Sequence, residues 1–293
     1  MKFALVGLVK PVALAALLAV TVLTAPQARA QAEGQKTFAS SKEAVVEFIQ
    51  AARDGNSVEL QAILGPGSEE ILSSGDAVAD KKARDWFVTS YENKHSLVEN
   101  ALHKLTLNIG NEDWPVPIPL VNANGKWYWD GAAGREEILY RRIGHNELAA
   151  IDVCKGVFAA QREYASSGHD GQPSGAYAPR VASDPGRQNG LYWDVHEGET
   201  PSPAGPLLAQ ANAEGYESSG KRTPYHGYYY RMLKNPGGFG FLAYPAEYRS
   251  SGIMSFIVNQ TGVIYQKDLG ERTSEIAQQM AHYKRDNTWT RVK

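Results

Sequence analysis

The chain has 293 residues, with 30 basic against 32 acidic side chains, seven histidines, one cysteine and a net charge of −2 at pH 7. Its charges are mixed along the sequence without a basic stripe. Nucleic acid therefore has no electrostatic footprint here, and an anionic membrane surface has no polybasic attractor. Cys154 stands alone, which excludes an internal disulfide and leaves stability to an ordinary apolar core.

Lys2 and Lys10 flank a short basic start, Pro11 to Ala25 is apolar, and Ala28-Arg29-Ala30 puts small residues where a signal peptidase inspects them. This layout predicts a cleavable signal over residues 1–30, cut after Ala30, and a periplasmic or secreted protein. An uncleaved anchor is the alternative, but the run is short of the roughly 20 apolar residues of a membrane span. The mature chain is thus expected to carry no span. Losing Lys2, Lys10 and Arg29 takes the 30 basic residues to 27 against 32 acidic ones, a net charge of −5.

Ser40 with Glu43 three residues on predicts a capping box, and Val45, Phe48, Ile49 and Ala52 follow at helical spacing up to Gly55. A shorter helix carries Leu60, Ile63 and Leu64, and a third runs from about Asp80 to Ser96. The period then changes to two, with Leu105, Leu107 and Ile109 alternating against polar neighbours. In Trp114 to Leu120 the prolines occupy alternate positions, which predicts an edge strand with no donors on its outer side. Asn124-Gly125 is a hairpin turn returning the chain as Lys126 to Trp129. Residues 31–134 are read as one α+β domain.

A second domain is read over residues 135–293. One helix from Arg135 is expected to stop at Gly144, and another to carry Leu148, Ile151, Cys154, Val157, Phe158 and Gln161 on its inner stripe. A loop-rich insertion over about 168–224 holds one helical piece near Pro206 to Ala213; a connection this long is usually functional or mobile. Tyr228, Tyr230 and Met232 then face one way, and Tyr229, Arg231 and Leu233 the other. Asn235 to Gly238 turns the chain into Phe239 to Tyr244, and Ile253 to Asn259 and Val263 to Lys267 complete a small antiparallel sheet. A last helix with Ile276, Met280 and Tyr283 closes the fold.

The stretches WPVPIPLV, GKWYWD, EEILYRRIGHNELAAID, AQREYAS, FLAYPAEY and SGIMSFIVNQTGVIYQKDLG resemble a bacterial family of exported proteins, the domain of unknown function 2950 family. The resemblance covers most of the mature chain and implies export, with no activity or catalytic residue attached. The C-terminal half, through AQREY, GYYYRML and GFGFLAYPAEY, is also similar to the globular part of type IV pilin-like proteins. Those proteins pack a curved antiparallel sheet on the second half of a long helix. In them the apolar targeting segment runs directly into that helix, whereas a whole α+β region intervenes here, which argues against a filament.

Two groups of residues are candidates for a site. Tyr225, His226, Tyr228, Tyr230, Tyr244 and Tyr248 form a candidate binding surface for a sugar or a protein, because tyrosine buries area and keeps a hydroxyl. Packing of the same rings on a helix and across the sheet is the competing explanation. His169, Asp194, His196 and Glu197 form a candidate polar cluster, set against a solvated loop. No ligand spacing for a metal, no Gly-x-Ser-x-Gly elbow and no phosphate-binding loop is present, so no catalytic, cofactor or metal residue is assigned.

The expected fold is α+β: N-terminal helices packed on a small antiparallel sheet, then a long helix packed on a pilin-like antiparallel sheet. The functional expectation is an exported cell-envelope protein acting as a non-catalytic binding or assembly module, its partner another exported protein or an envelope polymer. An enzyme acting on envelope polymers through the His/Asp/Glu loop is the alternative.

Overall fold

The structure is a computed structural model and describes residues 33–216 and 223–293. The signal segment expected over residues 1–30 lies outside the described residues. Four helices come first: α1 (Ser41–Arg53), α2 (Ser57–Leu64), α3 (Glu69–Leu72) and α4 (Ala77–Asn93). The Ser40 hydroxyl accepts from Glu43 N–H at 3.1 Å, and the Glu43 carboxylate reaches one residue further back to Ala39 N–H at 2.9 Å. Asn56 and Asp76 cap α2 and α4 through the same kind of contact.

The first sheet contains β1 (His95–Ala101), β2 (Lys104–Ile109), β3 (Trp114–Pro115), β4 (Leu120–Ala123) and β5 (Lys126–Trp129), all antiparallel. Its order is β1-β2-β4-β5, with β3 also paired to β2. The proline-rich segment is therefore not the continuous edge strand expected. Val116 N–H still donates to Leu107 C=O at 2.8 Å, but Pro117 and Pro119 have no N–H to give and the ladder lapses until Leu120. The alternation of side chains survives the lapse, because Val116, Ile118 and Leu120 all enter the first core. β1 was missed: α4, which corresponds to the helix expected from about Asp80 to Ser96, ends at Asn93, and a strand exposed on nearly every residue replaces its expected last turn.

From Asp130, whose carboxylate caps the next helix, α5 runs unbroken over Gly131–Ser166. It does not stop at Gly144. That glycine keeps a helical φ and faces open space, so the missing Cβ costs the helix some entropy without ending it. The inner stripe also differs from expectation: Ala150, Cys154, Val157, Gln161 and Tyr164 are buried, while Leu148 is 66% exposed. Burial pushes the Cys154 thiol up to about 12, which leaves it protonated and inert.

After the loop-rich insertion and α6 (Gly205–Ala213), a second antiparallel sheet forms from β6 (Tyr228–Leu233), β7 (Gly240–Pro245), β8 (Met254–Asn259) and β9 (Tyr265–Asp268). The helix α7 (Thr273–Gln279) follows, and β10 (Thr290–Arg291) closes the sheet against β9. α7 ends before Met280 and Tyr283, which pack instead from the extended chain beyond it. α5 covers one face of this sheet through β7 and β8, and α7 covers the other through β7. The fold is thus α+β, with a long helix on an antiparallel sheet. Residues 31–293 form one compact unit with two main cores, and α5 contributes Ile138 to the first core and Ala150 to the second. The 134/135 boundary lies inside its first turn. Among the described residues, no helix is long and apolar enough to cross a membrane.

Candidate binding cleft

Asp76 organises the site. It is 2% exposed and accepts three hydrogen bonds: from Ala79 N–H at 3.0 Å, from the Tyr216 hydroxyl at 2.9 Å and from Gly227 N–H at 2.9 Å. One carboxylate therefore starts α4, anchors the chain at Tyr216 and fixes the entry to β6. It also complements the positive end of the α4 dipole. Gly227 is obligatory at this junction, with φ +71°, because a Cβ there would lie 2.4 Å from Asn146 Nδ2. Asn146 in turn donates to Ser251 C=O at 2.9 Å, which ties α5 to the same corner.

Held in this way, α4 leaves a gap between itself and α5. The gap is a cleft of about 830 Å³. One wall is a helical stripe of α4, Ala79, Lys82, Ala83, Trp86 and Phe87; the other is a stripe of α5, Ile138, Arg141, Arg142, His145 and Asn146. Both stripes follow the i, i+3, i+4, i+7, i+8 pattern. Phe48, Leu60, Leu64, Val116 and Ile118 of the first core form the floor. Trp86, half-exposed, meets Trp114 edge-on at 5.2 Å, and the Arg141 guanidinium lies over the Trp114 ring at 4.9 Å. Ala79 and Ala83 line the cleft along with Trp86 and Trp114.

The far end is polar. His226 Nε2 lies 3.2 Å from Glu214 Oε2, which Lys82 Nζ also approaches at 3.4 Å. The His145 ring stands edge-on to His226 at 6.2 Å. Burial lowers the His226 pKa, His145 adds to the lowering, and the Glu214 charge only partly opposes it. Glu214 is held below the usual glutamate value because its bond from Gln210 and the charges of His226 and Lys82 outweigh burial. Burial and the neighbouring Asp76 push the Tyr216 phenol upward. At neutral pH this end thus presents a neutral imidazole beside a carboxylate. Among the described residues, no serine or cysteine side chain is hydrogen-bonded to His145 or His226 and no three potential ligands converge on a metal position.

Of the sequence candidates, His226 lines this cleft and the Tyr225 ring lies tilted against the His226 ring, 4.1 Å between centroids. The other tyrosines have structural positions. Tyr228 is buried and donates to Met254 C=O at 2.9 Å; Tyr230 is half-buried and donates to Tyr225 C=O at 3.1 Å. Tyr244 is buried on the opposite face of the sheet beside Tyr229, and Tyr248, half-buried, donates to Asp268 at 3.2 Å. His169, Asp194 and His196 have separate partners. His169 stacks on Tyr164 at 4.3 Å, Asp194 accepts from the Tyr192 hydroxyl at 3.2 Å, and His196 N–H donates to Glu199 at 3.0 Å. Glu197 is exposed. Asp76, Arg84, His145, Glu214 and Tyr216 were missed, since only tertiary packing gathers them. The two lining stripes were the available signal.

A family model described as "Protein of unknown function (DUF2950)" matches residues 35–238 and 235–292. No curated protein and no solved structure matches the chain.

Proposed function

The chain belongs to that family of unknown function, and from this premise we propose an exported, non-catalytic binding protein that holds an elongated apolar molecule between α4 and α5. The cleft carries this reading. Its volume of about 830 Å³ falls within the roughly 300–1,000 Å³ of small-molecule sites, which are mostly apolar with a few convergent polar groups. Phe48, Phe87, Trp86 and Trp114 supply the apolar contact and His226, Glu214 and Lys82 the polar end. The basic start, apolar run and Ala28-Arg29-Ala30 of the first 30 residues support export to the periplasm or beyond. An exported partner protein or an envelope polymer would then deliver or receive the ligand.

The test is titration with N-phenyl-1-naphthylamine, a neutral apolar dye that brightens on leaving water. Saturable one-to-one binding is expected, with energy transfer from Trp86 and Trp114. Ala83→Phe, at an exposed helical position on the cleft wall, should fill the gap and weaken binding about tenfold or more, the effect of displacing roughly 1.4 kcal/mol of contact. Non-saturable binding, or an unchanged affinity in Ala83→Phe, rules out the cleft as the site.

A further inference from the structure

We propose that the ligand of this cleft is a single-chain amphiphile ending in a carboxylate, and that Arg84 takes the acid group. The inference rests on the cleft being a binding site. Four cationic side chains line it, Lys82, Arg84, Arg141 and Arg142, against two acidic ones, Asp80 and Glu214. An apolar cavity with a cationic surplus favours an anionic ligand.

The partners of these groups decide which one is free. Arg142 donates to the carbonyls of Glu70 and Ile71, both at 2.7 Å, and so closes the end of α3. Arg141 is bonded to Glu137 at 2.6 Å and stacked on Trp114. Asp80 accepts from the N–H and the hydroxyl of Ser74, at 3.0 and 2.7 Å. Lys82 and Glu214 face each other at the polar end. Arg84 alone has neither a hydrogen bond nor an ion pair among the described residues, although it is half-buried at the cleft wall. A guanidinium offers a planar fork of donors that a carboxylate matches with two parallel bonds. A single unspent guanidinium fits one negative charge, hence a carboxylate and not a phosphate dianion. The chain of such a ligand would lie along the apolar floor.

Displacement of N-phenyl-1-naphthylamine tests this, using dodecanoate, 1-dodecanol and dodecyl phosphate below their aggregation concentrations. Dodecanoate is expected to compete roughly 10- to 100-fold better than dodecanol, the range for a hydrogen bond to a charged group. Arg84→Gln should abolish that difference while dodecanol binding stays put, and Arg84→Lys should restore part of it. Since Arg84 has no partner to lose, both variants should melt as the parent does. Equal competition by dodecanoate and dodecanol, or a preference that survives Arg84→Gln, overturns the proposal. A preference for dodecyl phosphate over dodecanoate overturns it as well. If the dye binds but no amphiphile displaces it, the carboxylate assignment fails and the cleft stands. If the dye itself does not bind, the cleft reading fails first.

Discussion

At the scale of single residues, the polar end of the cleft makes stability depend on pH through His226. Its pKa is lowered from the ordinary 6.5 by burial and by His145, against the opposing charges of Glu214 and Asp76. As pH falls through about 6.5 the unfolded chain takes up a proton that the folded chain still refuses. The unfolded state then binds more protons, so stability falls with falling pH in the window from 6.5 down to the folded value. Glu214, lowered from 4.5, loses its contribution further down, as pH drops below that value. The two groups therefore act in the same direction. His226→Asn should flatten the dependence below pH 6.5 and, by removing a charge that helps hold Glu214 down, also lessen the Glu214 contribution; asparagine suits the position because His226 has φ +51°. Melting temperatures between pH 5 and 8 would show this, and an unchanged slope in the variant would place the dependence elsewhere. None of this was legible in the sequence, where His226 stood out only for its tyrosine neighbours. Asp76 is far along the chain from Glu214 and His226, and their meeting is a product of the fold.

Elements were legible where an apolar or aromatic period marks them. Tyr228, Tyr230 and Met232 enter the core under α5, while Tyr229 and Leu233 enter the core under α7 and Arg231 donates to the carbonyls of Ala277 and Gln278. That alternation was readable because a strand has period two. β1 was not readable, since almost every residue of HSLVENA is exposed and no apolar period marks it. The break expected at Gly144 failed for a related reason. Glycine stops a helix when the chain needs a positive φ there, and α5 needs none at that position. No heavy atom lies within 4 Å of the Cβ that alanine would add. Gly144→Ala should therefore raise stability by about 0.5–1 kcal/mol, by restricting the unfolded chain and favouring the helix. A denaturant midpoint that moves down would mean that the helix is interrupted at Gly144 after all.

Over the whole molecule, α5 decides whether the two sheets behave as one body. The sequence suggested two domains meeting at 134/135, because the helical pattern restarts there. In the structure that point is the packed first turn of a single helix. A Cβ on Gly131 would lie 2.4 Å from the Leu64 carbonyl oxygen, and one on Gly134 would lie 2.9 Å from Ile118 Cα. The start of α5 is thus locked to the first core, while Cys154 and Val157 lie in the second. A helix propagates cooperatively, so unfolding either core should remove packing from α5 and weaken the other. Leu107→Ala offers a direct measurement. Leu107 is fully buried on β2, and its truncation should cost about 2–5 kcal/mol. If α5 couples the cores, hydrogen exchange at the slowest amides of β8 should accelerate by the same free energy as at β2, although β8 touches nothing that was changed. Exchange in β8 that ignores the substitution would mean that residues 31–134 and 135–293 unfold separately. The cleft between α4 and α5 would then be rebuilt each time the first domain refolds, and dye affinity would follow the stability of that domain alone.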